Sequence, residues 1–275
     1  MTVLLTSIPP CRRDEHFEKN IAFQKRCIQS WIVTGHKPVS LNCERELIAL
    51  APTFPEVEFR PAYRTTEPIN GRPLVFISDL ITHGLEQSTS RMAICNADVF
   101  FDPFIPFADN ISADLPLVYS HRIDLEALDT PATGKVFYGI DYVNVTATFA
   151  SKLPDSNFAM GLPWWDYWLP LEALRESHKP ISLLWNGSPL LKHLVHGDRW
   201  DPAALVYLGQ HLLNLMAKGF DKNASNLYST QNEWTMITTK TSTNKVYPAS
   251  VFACIARALC GHIQDNSLSH DFKRI

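Results

Sequence analysis

The segment Met92-Ala-Ile-Cys-Asn-Ala-Asp98 decides the fold prediction. Its first four residues form a short apolar run that is typical of a buried strand. In open α/β sheets, ligands bind outside the carboxyl ends of the strands. Because Asn96 and Asp98 follow the run at once, we expect them to lie at a ligand site at the end of a central strand. The alternative is that they only terminate the strand, as Asn and Asp often do.

Strand-like runs alternate with helical patterns on the amino-terminal side of this segment. The predicted strands are residues 3–8, 38–41 and 57–60, and the predicted helices are residues 14–34, residues 44–50 and one that opens at Pro73. This alternation predicts an α/β fold with a mostly parallel sheet flanked by helices. A Pro suits the first turn of a helix, where its missing N–H is not needed.

The pattern is less regular after Asp98. We predict strands at residues 115–120, 137–145 and 181–185, and two helical patterns in the last seventy or so residues. The simplest division is one α/β domain over residues 1–200, with a helical C-terminal extension over residues 201–275 packed on it.

Composition restricts the class of protein. The 275 residues are 45% apolar and 19% charged, with 25 basic and 28 acidic side chains and a net charge of −3. A chain of this kind can bury a large core, and it has no basic excess for binding duplex nucleic acid. The start lacks a basic segment followed by an apolar run, and the six cysteines are scattered. We therefore expect no export signal, no membrane span, reduced thiols and a cytoplasmic location.

Several charged residues are candidates for binding a ligand. Arg12, Arg13 and Arg64 follow predicted strands and are suited to phosphate, although each alone is more commonly a solvated surface residue. The sequence His193-Leu-Val-His196 places two imidazoles where they can face one metal ion, but such pairs also arise by chance. Asp124 and Asp141 are further acids near strand ends, and Arg122 beside Asp124 is read as a local ion pair.

The segment Gly161-Leu-Pro-Trp-Trp-Asp-Tyr-Trp-Leu-Pro170 is dense in aromatic residues. We expect Trp164, Trp165 and Trp168 to form a platform that stacks on a sugar ring of an acceptor. Asp166 lies at a predicted helix start, so it is either a helix cap or a catalytic acid or base.

Four short motifs, read in order, resemble those of glycosyltransferases of the GT-A type, which use nucleotide sugars. The resemblance extends over residues 2–200 and rests on Ser30-Trp31, Asn96-Ala97-Asp98, Gly139-Ile-Asp141-Tyr142 and Trp165-Asp166-Tyr-Trp168-Leu169. It implies a Rossmann-type GT-A fold and transfer of a sugar, with inversion, from a nucleotide-sugar donor to an acceptor hydroxyl.

The resemblance also implies roles for individual residues. Asp98 matches the metal-binding position of the family's Asp-x-Asp motif, with Asn96 in place of the first Asp, and His196 matches the histidine that completes the metal site. His193 is a less favoured choice for that ligand. Asp166 matches the catalytic base, and Asp141 is the next candidate. The implied cofactor is Mn²⁺ or Mg²⁺.

The implied acceptor is a glycan or a lipid-linked glycan, in glycan or polysaccharide biosynthesis. Two other classes of protein stay open. One is a non-catalytic relative that binds a sugar or nucleotide, which the Asn96 departure favours. The other is a nucleotidyltransferase or a metal-dependent phosphoester hydrolase on a similar scaffold.

Overall fold

A computed structural model of the chain describes residues 1–11, 15–87, 89–102, 106–126, 134–195, 202–217 and 248–272. The strands in these ranges are β1 Thr2–Thr6, β2 His36–Asn42, β3 Glu58–Pro61, β4 Arg91–Cys95, β5 Val99–Phe101, β6 Leu117–Leu125, β7 Lys135–Thr146, β8 Ile181–Trp185, β9 Ser188–Pro189, β10 Leu191–Leu194 and β11 Leu268–Phe272. The helices are α1 Phe17–Val33, α2 Glu44–Leu50, α3 Glu67–Asn70, α4 Ile77–Glu86, α5 Ala147–Ala150, α6 Trp165–Arg175, α7 Pro202–Ala217 and α8 Pro248–Asp265, with a 3₁₀ turn at Ala108–Asn110.

The strands form one sheet in the order β11-β8-β6-β7-β4-β1-β2-β3. Strands β4, β1, β2 and β3 are parallel neighbours, whereas β7 lies antiparallel between β4 and β6. Away from this path, β10 pairs with β5 and β6, and β9 pairs with β8. The prediction of an α/β fold with a mostly parallel, helix-flanked sheet is confirmed.

Alternate residues of the central strands pack into two different hydrophobic cores. In β4, Met92 and Ile94 face the core that includes residues of α4, α6, α7 and α8, whereas Ala93 and Cys95 face the core that includes α1. Side chains alternate between the two faces of a strand, so an unbroken apolar run indicates burial on both faces. The short run before Asp98 is therefore apolar because both sides of β4 are covered.

Helix α1 positions the chain that follows Asp98. Trp31 of α1 is fully buried, and its indole Nε1 donates a hydrogen bond to the carbonyl oxygen of Val99, at 2.9 Å. The Ser30 hydroxyl accepts a hydrogen bond from the Phe101 backbone N–H, at 3.0 Å. These two bonds attach β5 to the helix, so the strand that follows Asp98 is held at both of its ends.

The carboxyl-terminal part of the chain contains the two expected helices, α7 and α8, and also a strand that was not expected. Strand β11 pairs in parallel with β8 and forms the edge of the main sheet. The segment is thus not wholly helical, and the domain boundary at residue 200 stays a prediction. Within the ranges given above, no helix is both long enough and apolar enough to cross a bilayer.

The three tryptophans of the aromatic segment are core residues, so their predicted role as an acceptor platform is wrong. Trp164, Trp165 and Trp168 are each at most 2% exposed. The Trp164 indole donates to the Leu205 carbonyl oxygen at 2.9 Å, and the Trp168 indole donates to Glu172 Oε1 at 3.1 Å. Their rings fill the space between the sheet and α7, where no acceptor sugar can stack on them.

We expect Trp168→Ala to lower the free energy of unfolding by about 3–5 kcal/mol, as is usual when a buried Trp is truncated. The indole packs on Phe158, with ring centroids 5.4 Å apart, so Trp168→Phe should cost less. Urea denaturation followed by circular dichroism measures both variants. A Trp168→Ala protein within about 0.5 kcal/mol of the wild type would place the side chain at the surface instead.

Candidate functional site

The end of β4 is joined to the neighbouring antiparallel strand β7. The Asn96 backbone N–H donates to the Asp141 carbonyl oxygen at 3.0 Å. The Asn96 side-chain amide also donates to Asp141 Oδ1 through a short hydrogen bond. Two motifs that are far apart in sequence, the Asn at the end of the strand and Gly-x-Asp-Tyr, thus meet at one point of the sheet.

Arg122 on β6 binds two carboxylates. Its Nε lies 2.8 Å from Asp124 Oδ1, and its Nη1 lies 2.7 Å from Asp141 Oδ2. Burial alone would lower the pKa of the Arg122 guanidinium, but the charges of Asp141 and Asp124 outweigh that effect and raise the pKa. Arg122 is therefore a permanent cation within the site and links two of its acids.

His193 on β10 extends this chain of contacts to Asp98. Strand β10 pairs in parallel with β6, which sets His193 opposite Asp124, and in antiparallel fashion with β5. The imidazole Nδ1 is 3.1 Å from Asp124 Oδ1, and Nε2 is 3.6 Å from Asp98 Oδ2. A carboxylate on one ring nitrogen fixes the orientation in which the other nitrogen is presented.

The structure therefore places His193, the less favoured of the two histidines, beside Asp98. His196, Arg12 and Arg13 lie outside the described residues, so their predicted roles are untested. Asn96 and Asp141 meet at the end of β4, next to the turn that contains Asp98, and the predicted roles of all three stay predictions.

Asp166 lies in the first turn of α6, which packs against β7. Burial is the main cause that raises the pKa of its carboxyl to about 7, and the nearby charge of Asp141 raises it further. The backbone N–H groups of Asp166, Tyr167 and Ile140 oppose this rise. The position at the helix N-cap belongs to Trp164, at φ 81°, and not to Asp166. A carboxyl with a pKa near 7 is suited to proton transfer at neutral pH.

Arg64 contacts a different group of residues, and its predicted role in donor binding stays a prediction. Its guanidinium Nη2 lies 2.8 Å from the buried Asp79 and 3.3 Å from Asp155. The guanidinium also lies 5.2 Å from the ring centroid of Phe76. These contacts fasten the chain after β3 to helix α4, which is a structural role.

The side chains near Asp98 are compatible with a divalent cation held partly by a substrate. Within the described part of the chain, no group of three or more His, Cys, Asp or Glu side chains is arranged to hold a metal ion. Asp98 and His193 nevertheless supply one carboxylate and one imidazole side by side. Mg²⁺ at phosphate-transfer sites is commonly bound by one or two carboxylates together with substrate phosphates and water.

The pairing of Arg122 with Asp141 and of Asp124 with His193 was not predicted. The sequence carries one relevant signal, because residues two apart on a strand lie on the same face. Arg122 and Asp124 satisfy that spacing just beyond the predicted strand at residues 115–120, but their partners are distant in sequence and depend on how β6, β7 and β10 pair.

No protein-family model matches the chain, and no curated protein matches it. Among solved structures, the crystal structure of HddC from Yersinia pseudotuberculosis has a TM-score of 0.36 and 11% sequence identity, covering 57% of this chain and 82% of HddC. HddC from the same organism complexed with GMP-PN gives a TM-score of 0.34 and 11% identity, covering 57% of this chain and 81% of that one. Similarity at this level does not bear on the function of the chain.

The raised pKa of Asp166 has a consequence for stability. An unfolded Asp titrates near pH ~4, whereas burial raises the pKa of folded Asp166 to about 7. Between these values the folded protein binds more protons than the unfolded chain, so the free energy of unfolding falls as the pH rises. The variant Asp166→Asn has no carboxyl to titrate and so does not lose this stability. We expect the free energy of unfolding of the variant, minus that of the wild type, to increase by on the order of 2 kcal/mol between pH ~5 and pH ~8.

Urea unfolding of both proteins at the two pH values measures this difference. Asp114→Asn, at an exposed aspartate, is the matched control and should show almost none of it. An Asp166→Asn advantage that does not grow between pH 5 and pH 8 would contradict the burial of the carboxyl.

Proposed function

We propose that the chain is a glycosyltransferase of the GT-A type that moves a sugar from a nucleotide-sugar donor to an acceptor hydroxyl. The observation that carries the proposal is that Asp166 lies close to a group of linked side chains at the end of β4. There, a carboxyl with a pKa of about 7 lies near Asp141, within a chain of contacts that reaches Asp98 through Arg122, Asp124 and His193. A base and a phosphate-binding end within one site are what sugar transfer from a nucleoside diphosphate requires.

The donor diphosphate is assigned to the Asp98 end of the cluster. Asp98 and His193 would hold a Mn²⁺ or Mg²⁺ ion together with the diphosphate oxygens. When bound, such an ion supplies positive charge that stabilises the departing nucleoside diphosphate. Asp124 keeps the imidazole oriented through its Nδ1 atom, 3.1 Å away.

Asp166 is assigned as the general base. In the transfer, the acceptor oxygen forms a bond to the anomeric carbon while the bond from that carbon to the diphosphate oxygen breaks. The acceptor hydroxyl is a poor nucleophile near neutral pH, and its proton passes to the Asp166 carboxylate. Attack from the side opposite the leaving group inverts the anomeric configuration.

Asp141 is assigned an orienting role. Its two carboxylate oxygens accept hydrogen bonds from Asn96 and Arg122, which hold the carboxylate in place. Because those contacts use both oxygens, Asp141 is the second candidate for the base, after Asp166.

The acceptor in this proposal is a glycan or a lipid-linked glycan, and the reaction takes place in the cytoplasm. The described cysteines Cys27, Cys43, Cys95 and Cys260 are free thiols, which is typical of a reducing compartment.

Screening of UDP-, GDP-, CMP- and dTDP-sugars by thermal shift, with and without Mn²⁺, identifies the donor. Product analysis then separates the classes of protein. A transferase forms a glycoside only when an acceptor is present, whereas a phosphoester hydrolase needs only water, a nucleotidyltransferase forms a nucleotide-sugar bond and a binding protein forms no product.

The metal assignment predicts the behaviour of Asp98→Asn. Removing the carboxylate takes away one of the two side chains that would hold the ion, so Mn²⁺ should no longer strengthen nucleotide-sugar binding in calorimetry. Asp102→Asn is the matched control, because Asp102 lies close by in sequence but pairs with Lys192. Metal dependence that persists in Asp98→Asn would rule out Asp98 as the ligand.

The base assignment predicts the behaviour of Asp166→Asn. The amide keeps the shape of the side chain but accepts no proton, so kcat should fall by about 10²- to 10⁴-fold. Donor affinity, measured by calorimetry, should change little, because the proposal assigns the diphosphate to the Asp98 end of the site and not to Asp166. Retention of most of the transfer activity would move the assignment to Asp141.

A further inference from the structure

The beginning of β7 exposes an aromatic side chain beside the candidate site. Phe137 is 47% exposed, and its neighbours Val136 and Tyr138 are also exposed. Single exposed apolar residues are common on protein surfaces, whereas apolar surface grouped around a polar site is typical of ligand binding.

Two contacts hold the Phe137 ring in position. The Arg122 Cζ atom lies 4.4 Å from the ring centroid, within the range of a cation–π interaction. The ring also lies over Gly139, since a Cβ built on that residue would be 2.5 Å from the ring's Cε1 atom. The absence of a side chain at Gly139 therefore leaves the space that the ring occupies.

The same guanidinium binds both the ring and the carboxylate of Asp141. A single residue, Arg122, therefore connects Phe137 to the carboxylate of Asp141. Nearly half of the surface of Phe137 is open to solvent. A sugar ring has an apolar C–H face, which the negative face of an aromatic ring attracts, and hydroxyl groups at its edge, which donate hydrogen bonds to carboxylates. This pairing of an open ring with nearby carboxylates complements both parts of a sugar.

We propose that Phe137 is the stacking residue of the acceptor subsite and that the acceptor is a pyranoside whose C–H face lies on its ring. The inference rests on the proposed function, because it takes the acids near Asp141 to be the reacting end of the site. It assigns the aromatic contact with the sugar to Phe137, because the three tryptophans are buried and cannot make that contact.

Tyr138 provides a matched comparison. It is 53% exposed, and so equally accessible, but its ring makes an edge-to-face contact with His121, with centroids 5.5 Å apart. Its carbonyl oxygen accepts from the Cys260 thiol of α8. Tyr138 therefore belongs to the side of the strand end that faces α8, and not to the Arg122 contact.

The test is saturation-transfer NMR with methyl pyranosides of glucose, galactose, mannose and N-acetylglucosamine as probes. We expect at least one glycoside to receive saturation from the wild-type protein, most strongly at the C–H protons of one ring face. Its dissociation constant should rise by roughly 3- to 10-fold in both Phe137→Ala and Phe137→Leu, and should stay unchanged in Tyr138→Ala. The Leu variant keeps an apolar side chain, so a loss of glycoside affinity in that variant shows that the aromatic ring itself is needed. Circular dichroism confirms that each variant is folded.

Absence of saturation transfer to every glycoside, or equal binding by the wild type and Phe137→Ala, would overturn the inference. A loss of nucleotide-sugar affinity in Phe137→Ala without a change in glycoside binding would overturn it too, since the ring would then serve the donor. Donor binding measured in the same samples keeps the two proposals separate. Donor binding without glycoside contact refutes only the role of Phe137, whereas Phe137-dependent glycoside binding without donor binding refutes only the transferase.

Discussion

The Arg122 guanidinium is the interaction on which the candidate site depends. Carboxylates that gather at the end of one sheet repel each other, and burial makes the repulsion stronger. Arg122 lies between Asp124 and Asp141 and supplies the positive charge that lets two of them approach. An uncompensated buried carboxylate is costly, so the arrangement of the acids depends on this cation being present. Phe137 rests on the same group, and the aromatic surface beside the acids is held with them.

The topology of the sheet explains why these residues meet. Strand β7 runs antiparallel between β4 and β6, so Asp141 comes to lie next to Asn96, at the carboxyl end of β4. Strand β10 lies between β5 and β6, and this carries His193 to the turn that contains Asp98. A purely parallel sheet would provide ligand-binding groups only from the loops at its carboxyl edge. Here the antiparallel strand and the short β5–β10 ribbon add side chains that point into the site from the strands themselves.

Much of the framework was predictable because it depends on local patterns. The apolar runs before Asp98 indicate strands buried on both faces, and helix α2 and strand β8 begin and end where their patterns predict. Asp98 could be singled out as a candidate site residue from its place after such a strand. Its partner His193 could not, because β10 is four residues long and its position is fixed only by pairing with two other strands. The tryptophans were misjudged for a related reason: a high density of indoles predicts that they pack against something, but not whether that partner is a ligand or α7.

The neighbouring acids Asp141 and Asp166 have different hydrogen-bonding partners, which suits them to different chemical roles. The two carboxylate oxygens of Asp141 accept hydrogen bonds from the Asn96 amide and the Arg122 guanidinium. Burial raises the pKa of Asp166 and the nearby charge of Asp141 raises it further, while the contacts that stabilise the Asp166 carboxylate come from backbone N–H groups. In the proposed reaction, the proton of the acceptor hydroxyl would therefore go to Asp166, whose charge is the less well compensated of the two. Placing titratable groups in contrasting environments is a general way for a protein to carry out acid–base chemistry near pH ~7, and in this chain the burial of Asp166 and the pairing of Asp141 with Arg122 provide two such environments.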